Sequence, residues 1–186
     1  MDDSDGQLIA RFQDRNDLQA VEQLFQRHQD AVFGFLVSML KEPHDAEDAL
    51  QETFCRAIRG LQTYREQQQF KAWLFRIARN EAVTIIRKRS RISLQEDPYQ
   101  LAETGEADSS DLPVEKLARE EDYQSLEEAL KQLPEAEREV VVLRLQSDIS
   151  FKEIASLMNC SINTVLGRMH NAKKRLRQLL LADQPV

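Results

Sequence analysis

Residues 150–180 read SFKEIASLMNCSINTVLGRMHNAKKRLRQLL, and this stretch decides the fold. Ser150 and Glu153 stand three apart, the spacing of a capping box, and open a short helix with Ile154, Ala155 and Met158 facing inward. Asn159, Cys160 and Ser161 then make a tight turn. Asn tolerates the left-handed conformation that such a turn needs better than most residues. A second helix is expected from about 163 to 181, because Val165, Met169, Ala172, Leu176 and Leu179 repeat at alternating four- and three-residue steps. Its other face carries Asn163, Thr164, Gly167, Arg168, Asn171, Lys174 and Arg175. The early polar groups suit base edges and the later cations suit phosphates, so the pair reads as a DNA-binding helix-turn-helix. Lys173, Lys174, Arg175 and Arg177 also have a purely structural reading, since cations near a helix C-terminus are favoured by the dipole.

Immediately upstream, Leu126, Ala129, Leu130 and Leu133 mark a helix that ends where Pro134 opens the next, and Val140, Val141, Leu143 and Leu145 continue that core. Before it the composition changes. Between 93 and 122, ten carboxylates face only Lys116 and Arg119, a net charge of -8, with Pro98, Gly105, Ser109, Ser110 and Pro113 as breakers. This acidic segment reads as a flexible tether, with helix resuming before Asp122. Since the whole chain is at -7, everything outside the tether is close to neutral.

The half before the tether is also helical. Asn16 is expected to cap a long core helix whose stripe is Val21, Leu24, Phe25, Val32, Phe35, Leu36 and Met39, with His28 packed on the same stripe. After the break at 42–45 a second helix runs to about Gly60, with Ala46, Ala49, Leu50, Phe54, Ala57, Ile58 and Leu61 on one side. Its opposite side holds Asp45, Glu47, Asp48, Gln51 and Glu52. The helix dipole accounts for acids in the first turn but not for Glu52, nearly two turns in, so the ridge reads as a surface for a basic partner. Residues 61–69, LQTYREQQQ, have no apolar period and are expected to form a loop.

The next stretch, 70–91, is FKAWLFRIARNEAVTIIRKRSR. Phe70, Trp73, Leu74, Ile77, Ala78 and Ile85 give it a buried stripe, while Lys71, Arg76, Arg79, Asn80, Val83 and Arg87 lie to the other side. Seven cations oppose Glu81 between 71 and 91. A basic face beside aromatic rings, in an acidic protein, suits unpaired bases and their phosphates. An ordinary amphipathic helix with a solvated basic face is the plainer alternative.

The composition, at 186 residues with five Gly, five Pro and 31% charged residues, favours small helical units with large wet surfaces. Cys55 and Cys160 show no metal-ligand spacing and read as reduced thiols. His28, His44, Asp45, Glu47 and Asp48 form no ligand set on one helix face, so a metal-dependent enzyme is disfavoured. The amino terminus MDDSDGQL lacks the basic and apolar regions of a signal peptide, and the apolar run 31–40 is too short to cross a bilayer. The expected location is the cytoplasm.

Taken together, DAEDALQETF at 45–54, FKAWLFRIARN at 70–80 and LPEAEREVVVLRLQSDISFKEIASLMNCSINTVLGRMHNAKKRLRQLL at 133–180 resemble, in order, three segments of bacterial RNA polymerase sigma factors. The resemblance is to the short extracytoplasmic-function (ECF) group. It implies an all-α protein of two small helical domains, 1–92 and 123–186, joined by a flexible acidic linker at 93–122, the second domain a helix-turn-helix. It implies a non-enzymatic factor with no cofactor and no metal, whose partners are the polymerase core, promoter DNA and an anti-sigma factor. Asp45, Glu47, Asp48, Gln51 and Glu52 would dock on the polymerase. Tyr64, Arg65, Lys71, Arg76, Arg79, Asn80 and Arg87 would recognise and melt the minus-ten element, with the loop 64–69 holding a flipped base. Asn163, Thr164, Arg168 and Asn171 would enter the major groove at the minus-thirty-five element, and Lys174 and Arg175 would hold its phosphates. Trp73 and Leu74 take a mainly structural part. Leu166-Gly167 stands where many relatives carry Lys-Ser, removing one cation. The alternative function is a stand-alone helix-turn-helix regulator, which leaves the acidic ridge and the aromatic basic helix unused.

Overall fold

The structure, a computed structural model, describes residues 3–65, 69–93, 120–147 and 149–182. Among them all regular structure is α-helix, as the composition predicts. They fall into two units. Most of the acidic tether and residues 66–68 of the predicted loop lie outside the described residues.

The first unit holds α1 (Asp5–Arg15), α2 (Leu18–Leu40), α3 (Pro43–Leu61) and α4 (Phe70–Ser93). Helix α1 was not expected from the sequence. Its signal is Ser4-x-x-Gln7, a complete capping box, followed by Leu8, Ile9 and Phe12, all buried. Asn16 does not cap α2. It closes α1 in the left-handed conformation, at φ 52°, and donates its N–H to the Phe12 carbonyl. The N-cap of α2 is Asp17, whose carboxylate accepts from the backbone of Gln19 and Ala20. A carboxylate there meets the exposed amides at the positive end of the helix, whereas Asn16 is already committed to the helix before it.

The core of this unit lies between α2, α3 and α4. Leu24, Val32, Phe35, Leu36, Leu61, Leu74 and Phe75 are fully buried. The rings pair across helices, Phe25 stacked on Phe54 at 4.3 Å and Phe35 edge-on to Phe75 at 5.5 Å. Because α4 packs against both α2 and α3, its apolar stripe is wider than the period suggests. It takes in Phe75, Ala72 and Ala82, while Trp73, Ile77 and Ile85 are only half-buried. Ile58 is exposed rather than packed. His28 is buried as expected, its Nε2 2.7 Å from Asp5 Oδ2.

The second unit holds α5 (Glu120–Gln132), α6 (Glu135–Ser147), α7 (Phe151–Met158) and α8 (Ile162–Ala182). The Ser150–Glu153 capping box forms as read, and Asn159 takes the left-handed conformation at φ 53°. Ser161 caps α8, accepting from the Thr164 amide at 3.0 Å. Val165, Met169, Ala172 and Leu176 are buried, with Leu179 half-buried. Leu145 is exposed, in the last turn of α6. A buried arginine serves this core: Arg138 donates to the carbonyls of Lys131, in the last turn of α5, and of Leu133, just after it.

Candidate functional site

Three surfaces follow from this packing. The first is a cleft of about 190 Å³ lined by Tyr64, Arg65, Gln69, Ala72, Trp73 and Arg76. It brings together three of the seven predicted minus-ten residues, Tyr64, Arg65 and Arg76. The turn after α3 supplies Tyr64 and Arg65, Gln69 stands just before α4, and the first two turns of α4 supply the rest. The ring of Tyr64 lies 4.8 Å from Trp73 and 5.9 Å from Phe70, so Tyr64 and Trp73 form an aromatic wall of the cleft that Arg65 and Arg76 also line. A base can stack against such a wall while cations meet its phosphates. Lys71, Arg79, Asn80 and Arg87 do not line the cleft. Arg79 and Asn80 stand three and four residues beyond Arg76, and Arg87 stands two turns beyond Asn80, extending one polar stripe along α4.

Trp73 has two roles. It packs on α3 so closely that a Cβ at Gly60 would sit 2.9 Å from its Cζ2, and it also lines the cleft. Leu74 is purely core. The lone acid of the stretch, Glu81, turns inward and pairs with Arg56 at 2.7 Å, which leaves the outer face basic.

The second surface is the acidic side of α3. Glu47, Asp48 and Gln51 are exposed there. Glu52 pairs with Arg56 at 2.8 Å, and the hydrogen bond from Arg56 holds its carboxyl below the usual range. Asp45 pairs with Arg89 of α4, whose other nitrogen donates to the Leu40 carbonyl at 3.1 Å. The five predicted docking residues are therefore not equivalent, since Asp45 and Glu52 also tie helices or turns together. His44 stands exposed 3.8 Å from Glu47, on a different helix from buried His28, and among the described residues no cluster of ligating side chains forms.

The third surface is the outer face of α8. Asn163 and Lys174 are exposed, and Arg168 and Asn171 are half-buried. The Thr164 hydroxyl is 2.9 Å from Ser161 Oγ, so it belongs to the helix cap as well as to the face. Arg168 reaches back over the turn toward the Cys160 sulfur at 4.0 Å. Arg175 is held by Glu137 of α6 at 3.1 Å. Gly167 is buried and offers DNA no group of its own.

Residues 24–92 match the Sigma-70 region 2 family, and residues 123–176 match Sigma-70, region 4. The RNA polymerase sigma-H factor of Pseudomonas aeruginosa is 31% identical over 183 residues, covering 96% of this chain and 94% of that protein. The ECF RNA polymerase sigma-E factor of Salmonella typhimurium is also 31% identical, covering 93% and 92%. The chain belongs to the ECF sigma factors of RNA polymerase. Among solved structures, the sigma factor RpoE of Bartonella quintana, seen with the anti-sigma factor NepR, is 27% identical with a TM-score of 0.67, covering 88% of this sigma factor and 98% of that chain. CnrH, in complex with the cytosolic domain of CnrY, is 27% identical with a TM-score of 0.68, covering 98% and 100%. The cleft and the α3 ridge lie in the part of this sigma factor that matches region 2, and the α7–α8 motif lies in the part that matches region 4.

Proposed function

We infer that this sigma factor binds the RNA polymerase core, directs it to specific promoters and helps to open the DNA, acting as a non-catalytic initiation factor in the cytoplasm. The observation that carries the reading is the pairing, in one chain, of an aromatic and cationic cleft with a helix-turn-helix, each inside its own sigma-factor match. In this reading residues 1–92 bind core and the minus-ten element, 93–122 tether, and 123–186 read the minus-thirty-five element. The α3 ridge docks through Asp48, Glu47 and Gln51 above all, because these are exposed. Tyr64, Arg65 and Arg76 hold a flipped base, and Lys71, Arg79, Asn80 and Arg87 track the neighbouring strand. Flipping costs a few kcal/mol, which stacking and hydrogen bonding in the cleft offset. Asn163, Thr164, Arg168 and Asn171 address the upstream major groove, with Lys174 on its phosphates. Both solved relatives are held by other proteins, an anti-sigma factor in the first, and an anti-sigma partner is proposed here on that likeness.

A stand-alone regulator would leave the cleft and the ridge without ligands. Run-off transcription from a randomised promoter library, using purified core with and without the chain, decides between the two. Transcripts enriched for two spaced elements are expected. DNA binding by the chain, with neither core association nor transcripts, would sink the sigma-factor reading.

A further inference from the structure

Helix α1 lies before the region 2 match, which begins at residue 24, yet its Gln13 reaches the turn after α3 that supplies Tyr64 and Arg65 to the cleft. The Gln13 side-chain amide donates to the Leu61 carbonyl at 2.8 Å and to the Tyr64 carbonyl at 2.7 Å, across 48 and 51 residues of sequence. These carbonyls bracket the turn after α3, past the last regular helical hydrogen bonds. One primary amide carries two N–H groups, so a single glutamine can bridge both. At the other end of α1, Asp5 holds His28, and the His28 ring lies 5.5 Å from Phe70, the first residue of α4. Phe70 in turn contacts Tyr64 and Trp73.

We propose that α1 is a brace for the base-binding cleft and that Gln13 is a positioning residue, fixing the Tyr64 backbone so that the Tyr64–Trp73 wall is preformed. The proposal rests on the reading of the cleft as the single-strand site. Without the brace, the turn would have to be ordered at the moment DNA binds, and that entropy would be lost from affinity. The chemistry at position 13 is restrictive. Alanine donates nothing, and glutamate would set a carboxylate against two carbonyl oxygens. Lysine retains donors for both at a similar reach.

Trp73 is the sole tryptophan and touches Tyr64, so its emission reports the wall directly. In the folded full chain, checked by far-ultraviolet circular dichroism, Gln13→Ala and Gln13→Glu are expected to red-shift Trp73 emission, and Gln13→Lys to restore it. In holoenzyme assembled with core polymerase, Gln13→Ala should weaken binding of a mixed-sequence single-stranded DNA oligonucleotide about tenfold, the scale of two neutral hydrogen bonds. Core association should not change, and Gln13→Lys should again recover the loss. Wild-type emission and affinity in Gln13→Ala, or a loss that Gln13→Lys shares, overturns the role of Gln13. Wild-type holoenzyme that binds the oligonucleotide no better than core alone overturns the cleft reading itself, and with it the proposal.

Discussion

Arg175 Nε lies 3.1 Å from Glu137 Oε2, so a cation on the outer face of α8 is also the partner of a nearly buried carboxylate on α6. Lys174, its neighbour, is exposed. The two should respond differently to truncation. Lys174→Ala is expected to weaken binding to all promoter sequences and reduce the salt slope by about 1, with no change in Tm. Arg175→Ala should lower the stability of the second unit by about 1 kcal/mol, less than a fully buried pair because Arg175 is half in solvent. Thermal unfolding and salt-dependent binding of the two variants, side by side, check the division.

The same pair sets a pH dependence. Burial raises the Glu137 carboxyl above its ordinary 4.5 against the pull of Arg175. The folded second unit thus holds a proton more firmly than the unfolded chain does. Its stability should rise as pH falls through the folded value toward 4.5. Asp5 in the first unit has the opposite sign. Burial acts to raise it, but the hydrogen bonds and charges of His28 and Arg27 outweigh this, and it sits below 3.8. Its contribution is fully present above 3.8 and is lost as pH falls through the lower folded value. Amide exchange in α8 and Trp73 emission follow the two units separately, and Glu137→Gln should flatten the first profile only.

On the α3 ridge, Asp48→Lys is expected to abolish pull-down of core polymerase while leaving Tm unchanged, because Asp48 is exposed. Asp45→Lys should also lower Tm, by about 1 kcal/mol in stability, since it breaks the tie through Arg89 to the end of α2. Equal Tm for both variants would count against the structural role of Asp45.

Gly60→Ala tests the seat of Trp73. The added methyl would lie 2.9 Å from the indole, so the ring must tilt. Overpacking costs about 1–3 kcal/mol and the gain in helix propensity returns about 1, leaving a net loss of about 1 kcal/mol. The clearer signature is a shift in Trp73 emission together with weaker single-strand binding by the holoenzyme.

Arg168→Ala should relax specificity at one upstream base pair by about 1–3 kcal/mol, in contrast to the uniform loss expected of Lys174→Ala. Selection from a randomised upstream element reads this directly. Equal losses on every sequence would remove Arg168 from base readout.

The sequence determined the helical class, the capping box at Ser150, the left-handed Asn159 and the stripes of α2 and α8, because these depend on neighbours within one or two turns, whereas on α3 it placed Ile58 inward and missed buried Thr53. It also showed where cations and acids gather. Helix α1 carried a legible signal in Ser4 and Gln7, but one hidden behind the plausible cap at Asn16, which the fold assigns to the end of α1 instead. Tertiary structure alone decided which polar side chains are taken up inside the protein. Arg89 on Asp45, Arg56 on Glu81, Arg175 on Glu137 and Gln13 on the turn at 61–64 all join residues on different helices or turns. Local periodicity records the face a side chain occupies. It does not record what the next helix brings against that face, and that contact separates a side chain offered to a ligand from one that holds the fold.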